Sequence, residues 1–194
     1  MEVKLEKRYP VAASAVQAWA VLSDIRAVAA CMPGAAITEQ VDATHYRGTV
    51  KSKVGPAVLQ FGGEIEVLAL DAATRSMQLL GNGADKAGSS ASMNLSARIE
   101  AGDSPADCVL VGLATITVSG KLAQFGSRLL VPVSDAMLAQ FAANFNVAAA
   151  AQASADLAAA AAAPGPVAAN ELNALALAWT VFKGWLARLF GRGR

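Results

Sequence analysis

Charged and apolar residues alternate from the start of the chain. Val3 and Leu5 interleave with Lys4 and Glu6, a period of two that predicts a half-buried strand ended by Pro10. Ser14 is placed to cap a helix with apolar positions at Val16, Trp19, Ala20 and Leu22, and Asp24 to cap a short second helix running to Cys31. Met32, Pro33 and Gly34 stop that helix. The period of two then returns in segments 36–41, 45–54, 58–70, 75–80, 91–100 and 108–118. Turn signals separate them at 42–43, 55–56, 71–74, 81–88 and 102–107.

One strand, two helices, a run of strands and a final helical stretch predict the α+β class: an antiparallel sheet of about seven strands with helices on one side. The last helix is expected from near Gly120, with Leu130, Val133, Met137, Phe141 and Phe145 as a stripe facing the sheet. Pro132 should kink or break it, because proline removes a backbone donor. From 129 to 170 only Asp135 and Asp156 carry charge, and the second half of that interval is mostly alanine. Alanine favours helix, so the helix extends to about residue 163 or gives way to a flexible linker; either serves as a spacer. The expected organisation is a domain over 1–147, a spacer over 148–170 and an amphipathic helix over 171–194.

In that tail Leu172, Leu175, Trp179, Phe182, Leu186 and Leu189 recur at spacings of three and four and share one side. Trp185 and Phe190 add apolar surface, and Lys183 and Arg188 add charge. Four basic residues against Glu171 leave a local net of +3. Each basic residue near an anionic cytoplasmic leaflet adds about 1 kcal/mol of attraction. The uncharged run from Leu172 to Phe182 holds eleven residues. A spanning helix needs roughly 20, so spanning is not expected. An amphipathic helix docked on protein is the alternative to one lying on a bilayer. Pro164, Gly165 and Pro166 detach the tail from what precedes it, which favours the bilayer.

Sixteen basic and fifteen acidic residues nearly cancel in 194, so no global field steers nucleic acid to the protein. The first eight residues contain no continuous apolar segment, so no cleaved secretory signal is expected and the body should stay in the cytoplasm. Two cysteines, Cys31 and Cys108, are too few and too far apart for a disulfide scaffold. His45 is the only histidine, which leaves neither a zinc ligand set nor a nucleophile with its base. Glu64 and Glu66 share a strand face as paired carboxylates do in some hydrolases, but solvated strand residues explain them as well. Gly81, Gly83 and Gly88 lack the spacing of a phosphate loop and read as a flexible hairpin turn. Between sheet and last helix, small residues such as Ala87, Ala91, Gly112 and Ala114 leave room for an apolar cavity.

Several segments, in this order, resemble the CoxG family of carbon monoxide dehydrogenase subunits, a branch of the START-like (SRPBCC) helix-grip superfamily. They are the first strand with Pro10, Val16 to Trp19, Leu22 to Asp24, and the turn from Cys31 to Gly34. Lys51 to Pro56 with Phe61 and the glycines after it follows, and the closest stretch is Gly120 to Leu130. The glycine-rich 81–92 matches only loosely, and Phe141-Ala142 stands where that family pairs phenylalanines.

The resemblance implies a helix-grip fold, a curved antiparallel sheet wrapped on a long C-terminal helix. It implies a noncatalytic adaptor with no covalent cofactor that recruits a molybdenum hydroxylase of the carbon monoxide dehydrogenase type to the cytoplasmic face of the cell membrane as a peripheral protein. It also implies a respiratory quinone, menaquinone or ubiquinone, in a hydrophobic cavity, coupling the enzyme to the quinone pool. Cys31, Met32, Phe61, Met93, Leu122, Phe125 and Leu129 are expected near that cavity. Two other readings stand beside it: a docking or assembly protein with a filled interior, and a small hydrolase or cyclase using Glu64 or Glu66.

Overall fold

A computed structural model describes residues 1–54 and 57–162, without the side chains of 52–54, 57, 59, 125, 127, 129 and 156–162. Met1–Leu157 forms one compact unit and Ala158–Arg194 a second, of which only the helical residues 158–162 are described. The strands are β1 (Glu2–Val11), β2 (Ala35–Gln40), β3 (His45–Val54), β4 (Ala57–Asp71), β5 (Ser76–Asp85), β6 (Ser90–Ala101) and β7 (Cys108–Ser119). Helices α1 (Ala15–Leu22) and α2 (Ile25–Cys31) follow β1, and a 3-10 turn over Gly120–Phe125 leads into α3 (Gly126–Ala162). The strands form one sheet in the order β1-β7-β6-β5-β4-β3-β2, every neighbouring pair antiparallel.

The two short helices carry the chain from one sheet edge to the other, and their starts are fixed by side chains. Ser14 and Gln17 form a reciprocal capping box, with Gln17 N–H donating to Ser14 Oγ at 3.3 Å and Ser14 N–H to Gln17 Oε1 at 3.1 Å. Asp24 accepts from the N–H groups of Arg26 and Ala27 at 2.8 and 3.3 Å. Such a cap contributes about 1 kcal/mol. The buried face of α1 is Ala18, Val21 and Leu22, whereas Val16 is exposed. An eight-residue helix has room for one stripe, and the stripe is set by Leu22, which is pinned in the core at 1% exposure. Gly34 ends the link from α2 at φ 77°, where any Cβ would collide with the Lys51 carbonyl oxygen.

Two expectations need correction. β5 does not end at Leu80; it continues through Gly81 and Gly83 to Asp85, paired on both sides, and only the residues after Asp85 turn. Glycines at alternate strand positions look like a turn in sequence because both roles need a missing side chain. Helix α3 also passes through Pro132 unbroken and runs on past residue 147 to Ala162, so the alanine-rich stretch begins as helix. Pro132 costs it one hydrogen bond, to the Arg128 carbonyl.

The packing along α3 is graded. Phe145 and Ala149 are fully buried in the core that also holds Val11, Leu22, Met77 and Cys108. Phe141 packs on Phe145 with ring centroids 5.9 Å apart. Asn146 fastens this end: its Oδ1 accepts from Ala12 N–H at 2.9 Å and its Nδ2 donates to the Pro10 carbonyl at 3.1 Å. Asn144 Nδ2 donates to the Cys31 carbonyl at 2.8 Å. Toward the start of the helix Val133 and Met137 are only half-buried, and the helix stands off the sheet.

Candidate functional site

The space under the first half of α3 is created by a row of residues without large side chains. Gly48 of β3 stands opposite Gly63 of β4, Gly63 opposite Gly83 of β5, and Gly83 opposite Ala91 of β6. Four adjacent strands therefore present almost bare backbone in one line, and all four residues line a hollow of about 370 Å³. One row further along, Ile65, Gly81, Met93 and Ile116 are in register across β4 to β7 and line it too. Phe61 and Leu122 form one side, and Leu130, Val133 and Met137 supply the helix wall. A smaller hollow of about 230 Å³ adjoins it toward the packed end, and Met93, Ile116, Ser134 and Met137 belong to both.

Polar groups reach these spaces sparingly. Thr49, Asn82, Ser92 and Ser134 contribute to the first. Glu64 also borders it, but its carboxylate accepts from Arg47 Nε at 3.1 Å and the side chain is 67% exposed. Arg47 is shared with Glu39, so the three residues form an outward-facing chain of ion pairs rather than a free acid in a cleft. Lys7 lines the smaller hollow with its stem, and its ammonium lies 2.9 Å from Asp135 Oδ1, a pair that raises its pKa. Ser89 is buried beside the 3-10 turn, its Oγ accepting from Leu122 N–H at 3.1 Å and holding Leu122 in place.

Among the cavity residues expected from sequence, Phe61, Met93 and Leu122 line the larger hollow, and Met32 and Met93 the smaller. Cys31 does not line either; it is 3% exposed within the core, and burial pushes its thiol pKa up. It points away because it is the last residue of α2, one position before the turn that brings Met32 round. Phe125 lies in the 3-10 turn and Leu129 in α3, with side chains outside the described residues. Leu172, Leu175, Trp179, Phe182, Lys183, Trp185, Leu186, Arg188, Leu189 and Phe190 also lie outside them. Of the small residues, Ala91 borders the larger hollow and Gly112 and Ala114 the smaller, while Ala87 sits in the β5–β6 turn.

The remaining candidates for chemistry lie elsewhere. His45 is exposed at the start of β3, its Nδ1 2.9 Å from Asp42, which raises the imidazole pKa. Glu66 is 4.0 Å from the same ring. Among the described residues no three His, Cys, Asp or Glu side chains gather as a metal site, and no helix is long and apolar enough to cross a membrane. The glycine row and the cavity-lining methionines Met77 and Met137 are not evident from sequence. Their signal is the alternation Gly81, Gly83 within a strand pattern, together with Gly62-Gly63 upstream.

The architecture recurs in solved structures. A conserved protein from Geobacillus kaustophilus superposes with a TM-score of 0.69 at 17% identity, over 76% of this chain and 95% of that one. The Zhui aromatase/cyclase from Streptomyces sp. R1128 gives 0.57 at 16%, over 77% and 94%. A START superfamily protein from Mycobacterium smegmatis gives 0.53 at 15%, over 74% and 94%. These likenesses establish the START-like, helix-grip fold. A comparison with curated protein sequences gives no match. The family model for CoxG, a carbon monoxide dehydrogenase subunit, matches residues 8–150, from the end of β1 through the gripped part of α3, and the chain belongs to that family.

Proposed function

We propose that the protein is a noncatalytic adaptor that carries a lipophilic ligand, a respiratory quinone, in the hollow beneath α3. In this reading it brings a molybdenum hydroxylase of the carbon monoxide dehydrogenase type to the cytoplasmic face of the cell membrane and links it to the quinone pool. The observation that carries it is the line Gly48, Gly63, Gly83 and Ala91, which keeps a large apolar space open where a sheet-on-helix fold would ordinarily be packed. An apolar cavity stays dry and binds apolar molecules; each buried methylene adds about 0.8 kcal/mol. The family description supports the hydroxylase as partner. The basic amphipathic pattern over 171–194 supports the bilayer as the place where the oily ligand is exchanged.

Mass spectrometry of lipid extracted from the purified full chain tests the cargo. A quinone is expected, and a chain that carries no lipophile out of the cell contradicts the reading. Deleting 168–194 should move the protein from the membrane to the soluble fraction; unchanged partitioning would refute the anchor.

A further inference from the structure

Four of the five methionines, Met32, Met77, Met93 and Met137, line the smaller hollow; the fifth is Met1. No methionine but Met93 and Met137 borders the larger one among the described residues, and these two stand where the hollows meet. The two spaces thus differ in kind. The larger has a floor of backbone, because glycines in a strand let a ligand approach the peptide planes directly. The smaller has walls of unbranched thioether chains, which re-pack around irregular apolar shapes at little cost.

From this contrast we infer that the ligand is bipartite, and that the structure assigns its ends: a flat ring lies on the glycine floor, and a flexible alkyl or prenyl chain threads between Met93 and Met137 into the methionine chamber. This rests on the proposed lipophile site and specifies how that site reads its ligand. A rigid bare floor suits the π face of a ring, and Asn82, Ser92 and Thr49 stand at its edge to meet ring oxygens. A chain has many rotamers and no fixed outline, which only adaptable walls accommodate. The Lys7 ammonium is taken by Asp135, so the chamber offers a stem rather than a charge to the chain.

Gly112 and Ala114 allow the chamber to be closed without touching the floor. Both line the smaller hollow only, and a Cβ on Gly112 would meet nothing within 4 Å. Naphthoquinones bearing a methyl, a pentyl or a decyl side chain are titrated calorimetrically into the full-length protein, the Gly112→Leu variant and the Ala114→Leu variant. Cooperative melting of each variant confirms that it folds. For the unaltered chain, affinity should rise by up to about fourfold per methylene until the chamber is full. In both variants the methyl compound should bind within about twofold of the unaltered chain while the gain with chain length disappears. A chain-length gain that survives both substitutions overturns the assignment, as does equal weakening of all three compounds. If the unaltered protein binds none of the series, the lipophile site itself falls; if it binds the methyl compound with no gain from longer chains, only the bipartite assignment falls.

Discussion

Gly63 and Gly83 face each other across β4 and β5, yet they are not equivalent. A Cβ built on Gly63 would collide with the Asn82 carbonyl oxygen, whereas one on Gly83 would sit 3.4 Å from the Gly62 carbonyl oxygen and 3.8 Å from Phe61 Cβ. One glycine is required by the backbone, and the other only by the emptiness above it.

That difference predicts opposite outcomes for the same substitution. Gly83→Ala should be neutral or stabilising by up to about 1 kcal/mol, since it removes unfolded-state freedom and meets ordinary contacts. Gly63→Ala should destabilise by about 1–3 kcal/mol, because β4 must shift away from β5. Urea denaturation of the pair measures both; equal effects would contradict the geometry.

At the packed end of α3, Phe145 is fully buried and has no slack around it. Phe145→Ala should cost about 3–5 kcal/mol. Met137 borders both hollows, so Met137→Ala enlarges a space that already exists and should cost less than Phe145→Ala does. Chemical denaturation that ranked the two in the reverse order would overturn the graded picture of the helix.

Asn146 holds the end of β1 against α3 with both halves of its amide. Asn146→Ala leaves the Ala12 N–H without its acceptor and should destabilise by about 1–3 kcal/mol. Asn146→Asp keeps the acceptor and loses the donor to Pro10, so its stability should lie between those of the unaltered chain and the alanine variant. Thermal melts of the three proteins check the order.

The single imidazole gives a clean titration. Asp42, hydrogen-bonded to His45 Nδ1, raises the folded-state pKa above the ordinary value of 6.5. Protonation therefore favours the folded chain. The stabilisation is complete below 6.5 and is lost as pH rises through the folded midpoint. The imidazole resonance should titrate above 6.5, and Asp42→Asn should bring it down. The stability difference between the unaltered chain and His45→Gln should shrink between about pH 5 and about pH 8. An unshifted resonance would remove the Asp42 contact from the account.

Much of the scaffold was legible because strand alternation is local: the seven strands, the caps at Ser14 and Asp24, and the stripe Leu130 to Phe145 follow from spacing alone. The hollow was harder to read. Gly48, Gly63, Gly83 and Ala91 are far apart in sequence and mean nothing together until register sets them side by side. For the same reason Gly81 and Gly83 resemble a turn when only their neighbours in the chain are considered. Cys31 and Met32 show the limit at single-residue scale, since the α2 stop at Met32 sends one into the core and the other to the smaller hollow. Val16 lies outside the buried face of α1 because a short helix offers too few positions for periodicity to choose a face.

Filling the floor from within isolates what the empty row is for. Gly83→Leu places a side chain in the larger hollow without a backbone clash, so the protein should fold with equal or greater stability. Quinone extracted per mole of protein, compared between the unaltered full chain and Gly83→Leu purified from the same cells, is the most direct measurement. A bound quinone in the former and its loss from a folded Gly83→Leu is the expected result. Equal quinone in both, or none in either, would contradict the claim that the glycine row holds the hollow open for a lipophilic ligand.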